Sequence, residues 1–96
     1  MESESGESFW DVEILPRALT GIRNLPAKLR DVVWEIIAEL AIDPYPPDAQ
    51  KLRRYEDYLK IAFDGHRVVY RVSLKRRRVV VERVAARGIV YAGMER

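Results

Sequence analysis

The dipeptide Asp64-Gly65 constrains this chain more than any other feature. It favours the positive φ angles of a two-residue type I′ turn, and alternating runs flank it on both sides, Tyr58 to Phe63 and His66 to Val72. A two-residue turn fixes the register of the hairpin. Phe63 is expected opposite His66, Ala62 opposite Arg67, Ile61 opposite Val68, Lys60 opposite Val69, Leu59 opposite Tyr70 and Tyr58 opposite Arg71. Side chains alternate between the two faces of a sheet. Leu59, Ile61, Phe63, Val68, Tyr70 and Val72 therefore form a core face. Tyr58, Lys60, Ala62, Arg67, Val69 and Arg71 share the other face, which carries three cations and an aromatic ring.

The remaining segments read as partners for that hairpin. Residues 1–8 are polar and acidic without periodicity, as in a disordered tail, and residues 9–96 form the domain. Trp10, Val12 and Ile14 alternate with Asp11 and Glu13, which predicts a strand over 9–15. Pro16 suits the first position of a helix, and Leu19 and Ile22 follow at helical spacing, predicting a helix over about 16–24. Pro26 opens a second helix in the same way, ending near Ile42. Its apolar stripe is Leu29, Val32, Val33, Ile36, Ile37 and Leu40, with Trp34 off the stripe as a peripheral core residue or a contact for a partner. Asp43-Pro44-Tyr45-Pro46-Pro47 is a rigid connector. After a turn over Leu74 to Arg77, a third β-run spans Val79 to Ala86. Pairing it with the preceding strand puts Val79 and Val81 on the core face. It puts Val80, Glu82 and Val84 on the cationic face and points Arg83 inward. A one-residue slip buries Glu82 instead, so either register turns one charge inward, and a bulge or the strand's end is what rescues Arg83. The order β-α-α-β-β-β implies an α+β domain, with two helices packed on one face of a mainly antiparallel sheet.

Charge is distributed unevenly. The net charge is only +2, yet residues 51–96 hold thirteen bases against five acids, a balance of +8, whereas residues 1–16 hold five acids and no Lys or Arg. A basic half of this kind suits a polyanion such as nucleic acid, or an acidic protein partner. Without cysteine and with one histidine, thiolate metal sites and disulfides are excluded and a zinc site is not expected. No run approaches the length of a membrane span, and a cytoplasmic protein is the simplest reading.

Three stretches, RALTGIRNLP, DPYPPDAQKLRRYEDYLKIAFDGHRVVYRV and VVVERVAARGIVY, together resemble the RelE/ParE toxin superfamily of prokaryotic toxin–antitoxin systems over about residues 9–91. The resemblance implies a RelE-like fold and a small basic toxin neutralised by a cognate antitoxin. RelE-like members cleave mRNA in the ribosomal A site, and ParE-like members inhibit DNA gyrase. In the RNase reading the ribose 2′-hydroxyl attacks the adjacent phosphate. That chemistry needs a proton acceptor, cations for the extra negative charge and an acid for the leaving 5′-oxygen.

Carried over position by position, the resemblance makes Lys60, Arg67, Arg87 and Tyr91 catalytic candidates, with Arg67 and Arg87 on the phosphate and Tyr91 orienting or stacking on the nucleotide. Ala62 stands where RNase members carry a second lysine that acts as base. Arginine does not replace it, because its pKa stays above about 12. Lys60 or Glu82 is left as base, with Glu56 and Asp57 as weaker candidates. The RNA-binding candidates are Lys51, Arg53, Arg54, Tyr58, Arg71, Arg76, Arg77 and Arg78. His66 is read as structural and Tyr70 as core. No cofactor or metal is implied. The expected partners are an antitoxin and, for the RNase, mRNA and the ribosome; DNA gyrase is the alternative target, and a member that only binds antitoxin is the third reading.

Overall fold

The computed structural model describes residues 9–53 and 57–86. The expected tail at 1–8 lies outside them, as do Arg54, Glu56, Arg87 and Tyr91. In order, the elements are β1 (Asp11–Ile14), α1 (Pro16–Arg23), α2 (Ala27–Ile42), β2 (Gln50–Lys51), β3 (Tyr58–Phe63), β4 (His66–Ser73) and β5 (Arg78–Ala86). The five strands form one sheet in the order β1-β5-β4-β3-β2. β1 runs parallel to β5 at one edge, and every other neighbouring pair is antiparallel. The expected architecture is present, with one addition: the connector after α2 ends in the two-residue strand β2.

The hairpin has the expected register at all six positions, from Tyr58 opposite Arg71 to Phe63 opposite His66. Its turn residues Asp64 and Gly65 have φ of 44° and 77°, the positive pair that a type I′ turn requires. The His66 ring stacks on Phe63 with 5.5 Å between centroids, and its Nδ1 lies 2.9 Å from the Asp64 carbonyl. That is the structural role expected of it.

The helices cover the core face. Pro16 occupies the first turn of α1, whereas Pro26 sits at the N-cap of α2 rather than inside it. From these helices Ala18, Ile22, Val33, Ile37 and Leu40 pack against Ile61, Phe63, Val68, Tyr70, Val79, Val81 and Val84. Tyr70 is fully buried, and its hydroxyl donates to the Pro44 carbonyl at 2.8 Å, tying β4 to the proline connector. The phenol's pKa is pushed upward, first by burial and then by the nearby acids Asp48 and Asp43 together with Tyr45. Trp34 is exposed on the outer side of α2.

α1 lies directly on β5. A Cβ at Gly21 would collide with the Val84 carbonyl oxygen, so only glycine permits this approach.

One expectation is corrected. The pairing of β4 with β5 shifts between Val69 and Tyr70: Tyr70 faces Val81, but Val69 faces Arg83. Glu82 is the extra residue of a β-bulge. Beyond it the alternation is reset, so Val84 enters the core and Arg83 turns to the open face, the reverse of the simple register. The physical reason is the cost of burying an unpaired charge, which one inserted residue avoids at Arg83.

Candidate nucleic-acid interface

The face opposite the helices has a small apolar floor of its own. Leu52 and Val69 are buried there, with Tyr58 and Ala85 packed against them. Val69 sits at the centre of the sheet on β4, and the pairing defines what surrounds it. Lys60 flanks it from β3 and Arg83 from β5. Arg67 and Arg71 lie two residues to either side along β4, and in a strand i and i±2 share a face. Four cations therefore frame one buried valine. Of these, Lys60, Arg67 and Arg71 were legible in the hairpin pattern; Arg83 was not.

Arg67 stands between Ala62 and Ala85, two small side chains that leave room for a long one. Its Nε is buried and has no hydrogen-bond partner among the described residues. A guanidinium nitrogen in that position retains an unmet demand for an acceptor. Among the described residues, neither Lys60 nor Arg83 has an ion pair or hydrogen bond from its side chain.

Arg71 is held differently. Its Nε donates to Glu82 Oε2 at 2.7 Å, while Arg17 Nη2 from α1 donates to Glu82 Oε1 at 2.7 Å. Arg17 Nε also donates to the Glu82 carbonyl at 3.2 Å, satisfying part of the β5 edge beyond the end of β1. The Glu82 side chain is 3% exposed, whereas those of Arg17 and Arg71 are 49% and 42% exposed. The bulge thus places a carboxylate between two cations. Its hydrogen bond pushes the Arg71 pKa above the ordinary value, against the smaller effect of burial, so Arg71 stays charged. Both carboxylate oxygens of Glu82 are occupied, which leaves this side chain badly placed to take a substrate proton and well placed to fix Arg71.

The other sequence candidates are dispersed. Lys51 pairs with Leu59, so it shares the helix side of the sheet rather than the open face. It lines a cleft of about 440 Å³ with Tyr45, Asp57, Leu59, Arg71, Val72 and Ser73. Arg53 and Arg76 are exposed in loops. Arg77, with φ of 53°, lies 4.6 Å above the Trp10 ring, and its Nε is 3.4 Å from the Phe9 carbonyl. Arg78 pairs with Glu13 at 3.5 Å. Arg77 therefore holds the residues just before β1, and Arg78 holds β1 itself, at the far edge. Arg17 was missed altogether; nothing in its local pattern marks it as the partner of a residue 65 positions away.

Comparison with solved structures defines the class: the fold is that of the RelE-like toxins. In particular, the chain is similar to isolated E. coli RelE toxin, at 29% identity over 88% of this chain and 94% of that one, with a TM-score of 0.69. The toxin of the intact E. coli RelBE toxin–antitoxin complex matches at 28% identity over 80% and 95%, with a TM-score of 0.72. An archaeal RelE–RelB complex from Pyrococcus horikoshii, at 22% identity over 83% and 97% and a TM-score of 0.73, shares the fold. No protein-family model matches the chain, and no curated protein does.

Proposed function

We propose that this chain is the toxin of a toxin–antitoxin pair and acts as a ribosome-dependent mRNA endoribonuclease. The observation that carries this reading is the open face itself: Lys60 and Arg67 stand diagonal to each other across the hairpin, without protein acceptors among the described residues, in a RelE-like fold. That diagonal is roughly 7–8 Å, near enough for two long cations to share one phosphate. The substrate's 2′-oxygen forms a bond to phosphorus as the bond to the 5′-oxygen breaks. Arg67 binds two phosphate oxygens and stabilises the charge gained on the way. Lys60 assists as an ammonium beside the phosphate and gives a proton to the leaving 5′-oxygen, while the 2′-hydroxyl proton passes to solvent. Arg87 adds a second guanidinium on the phosphate, and Tyr91 orients the nucleotide; both roles rest on the resemblance. With its two oxygens engaged, Glu82 is assigned to structure rather than to proton transfer.

A second reading is favoured by one specific observation. Ala62 supplies no base, and a ParE-like toxin that inhibits DNA gyrase needs none. Expression of the chain alone separates the two. Growth arrest with new 5′ ends inside the codons of a translated message supports the RNase. Arrest with intact messages and loss of gyrase supercoiling assigns the chain to gyrase. The antitoxin expected to cover the basic half is an acidic segment, and its complex should weaken as salt rises.

A further inference from the structure

The bulge at Glu82 has an effect on the open face that the family resemblance does not supply. Without it, the alternation of β5 would send Arg83 into the core. With it, Arg83 faces Val69 from one side as Lys60 faces it from the other. We propose that Arg83 is a substrate-contacting residue, and that an RNA backbone phosphate next to the one being cut is held between Arg83 and Lys60. This rests on the RNase reading above and extends it to a residue that reading does not use.

Three observations meet here. Val69 is fully buried, with Leu52, Tyr58 and Ala85 packed against it, so the ground between the two cations is apolar and holds no competing acceptor among the described residues. No carboxylate of the described residues is paired with Arg83 or Lys60, although Glu82 lies next to Arg83 in the chain. Glu82 is instead committed to Arg17 and Arg71 on its two oxygens. Finally, Arg67 and Arg71 stand on the same face on either side of Val69, with the Arg67 Nε buried and unsatisfied among the described residues. Like charges set around one point repel, and an anion at that point relieves the repulsion. A planar guanidinium opposite an ammonium grips a phosphodiester from both sides without contacting the bases. Arg83 is thereby expected to bind the message irrespective of sequence and to act mainly on affinity.

The test is cleavage of a defined message on programmed ribosomes, measured in single turnover over a range of toxin concentrations. Arg83→Gln should raise the concentration for half-maximal rate by about tenfold, the loss of one charge-assisted contact, and leave the rate at saturation close to that of the unaltered protein. Arg83→Lys keeps the charge and should recover most of the affinity. This recovery separates a lost contact from a damaged strand. Lys28→Ala, on the exposed outer side of α2, serves as the charge-matched control and should change neither quantity. If the unaltered protein cleaves and Arg83→Gln matches it in both quantities, Arg83 is no contact and this inference falls alone. If the unaltered protein leaves the message intact, the RNase reading falls and takes this inference with it.

Discussion

Glu82→Gln is the substitution that most directly probes how the open face is built. It keeps the size of the side chain and removes its charge. Two contacts of 2.7 Å to guanidinium groups are weakened together, and two cations are left facing each other. Breaking a fully buried ion pair by removing one partner costs about 3–5 kcal/mol. Here only the carboxylate is buried, at 3% exposure, while the arginine side chains are 49% and 42% exposed. Solvent rehydrates and screens them once released, so the cost should fall to about 1–2 kcal/mol. For a domain of this size that corresponds to a fall in Tm of roughly 6–12 °C. Thermal and urea unfolding of Glu82→Gln, Arg71→Gln and the double variant measure it. The coupling between the two sites should be favourable, at about 0.5–1.5 kcal/mol, and shrink in high salt. Glu82→Gln as stable as the parent, with no coupling to Arg71, would refute the view that this carboxylate holds Arg71 in place.

Gly21→Ala should lose about 1–3 kcal/mol by urea titration, despite the better helix propensity of alanine, because α1 must lift from the Val84 carbonyl; unchanged stability would contradict the close packing of α1 on β5. Tyr70→Phe should cost about 1–2 kcal/mol by removing the donor to Pro44. The folded-state pKa of Tyr70 is raised, so its contribution is fully present below the unfolded value of about 10 and is lost as pH rises through the folded value. Unfolding measured above pH 10 should therefore show a fall in stability that is smaller in Tyr70→Phe. Arg67→Ala should lower the cleavage rate by two to three powers of ten with little change in stability, since one preorganised donor to a phosphate in the transition state contributes about 3–4 kcal/mol. A folded Arg67→Ala protein that remains fully toxic removes this arginine from the mechanism.

The hairpin was legible because two independent signals agree there: Asp64-Gly65 permits one turn, and the alternation on either side permits one register. Helix positions followed from proline and apolar spacing for the same local reasons. β5 was not fully legible. The run VVVERVAA puts a charge inward in either simple register, a conflict that a bulge or the strand's end resolves, and the strand continues through a bulge. At Glu82 it sets the carboxylate between Arg17 and Arg71, which come from other elements and leave no trace in the local pattern. The parallel placement of β1 beside β5 is likewise a property of the whole topology, which four residues of strand do not encode. β2 is too short for alternation to register. Of the candidate site, the cations contributed by the hairpin could be read from sequence and Arg83 could not, since its face is decided by the bulge.

The central claim is that the open cationic face cuts RNA. It is tested most directly by adding the purified protein to ribosomes translating a single defined message and mapping the 5′ ends by primer extension. The account predicts new ends within codons at the vacant A site, abolished when the cognate antitoxin is added and reduced a hundredfold or more in Arg67→Ala. Intact message at a protein concentration that halts DNA gyrase supercoiling in a parallel reaction would contradict it.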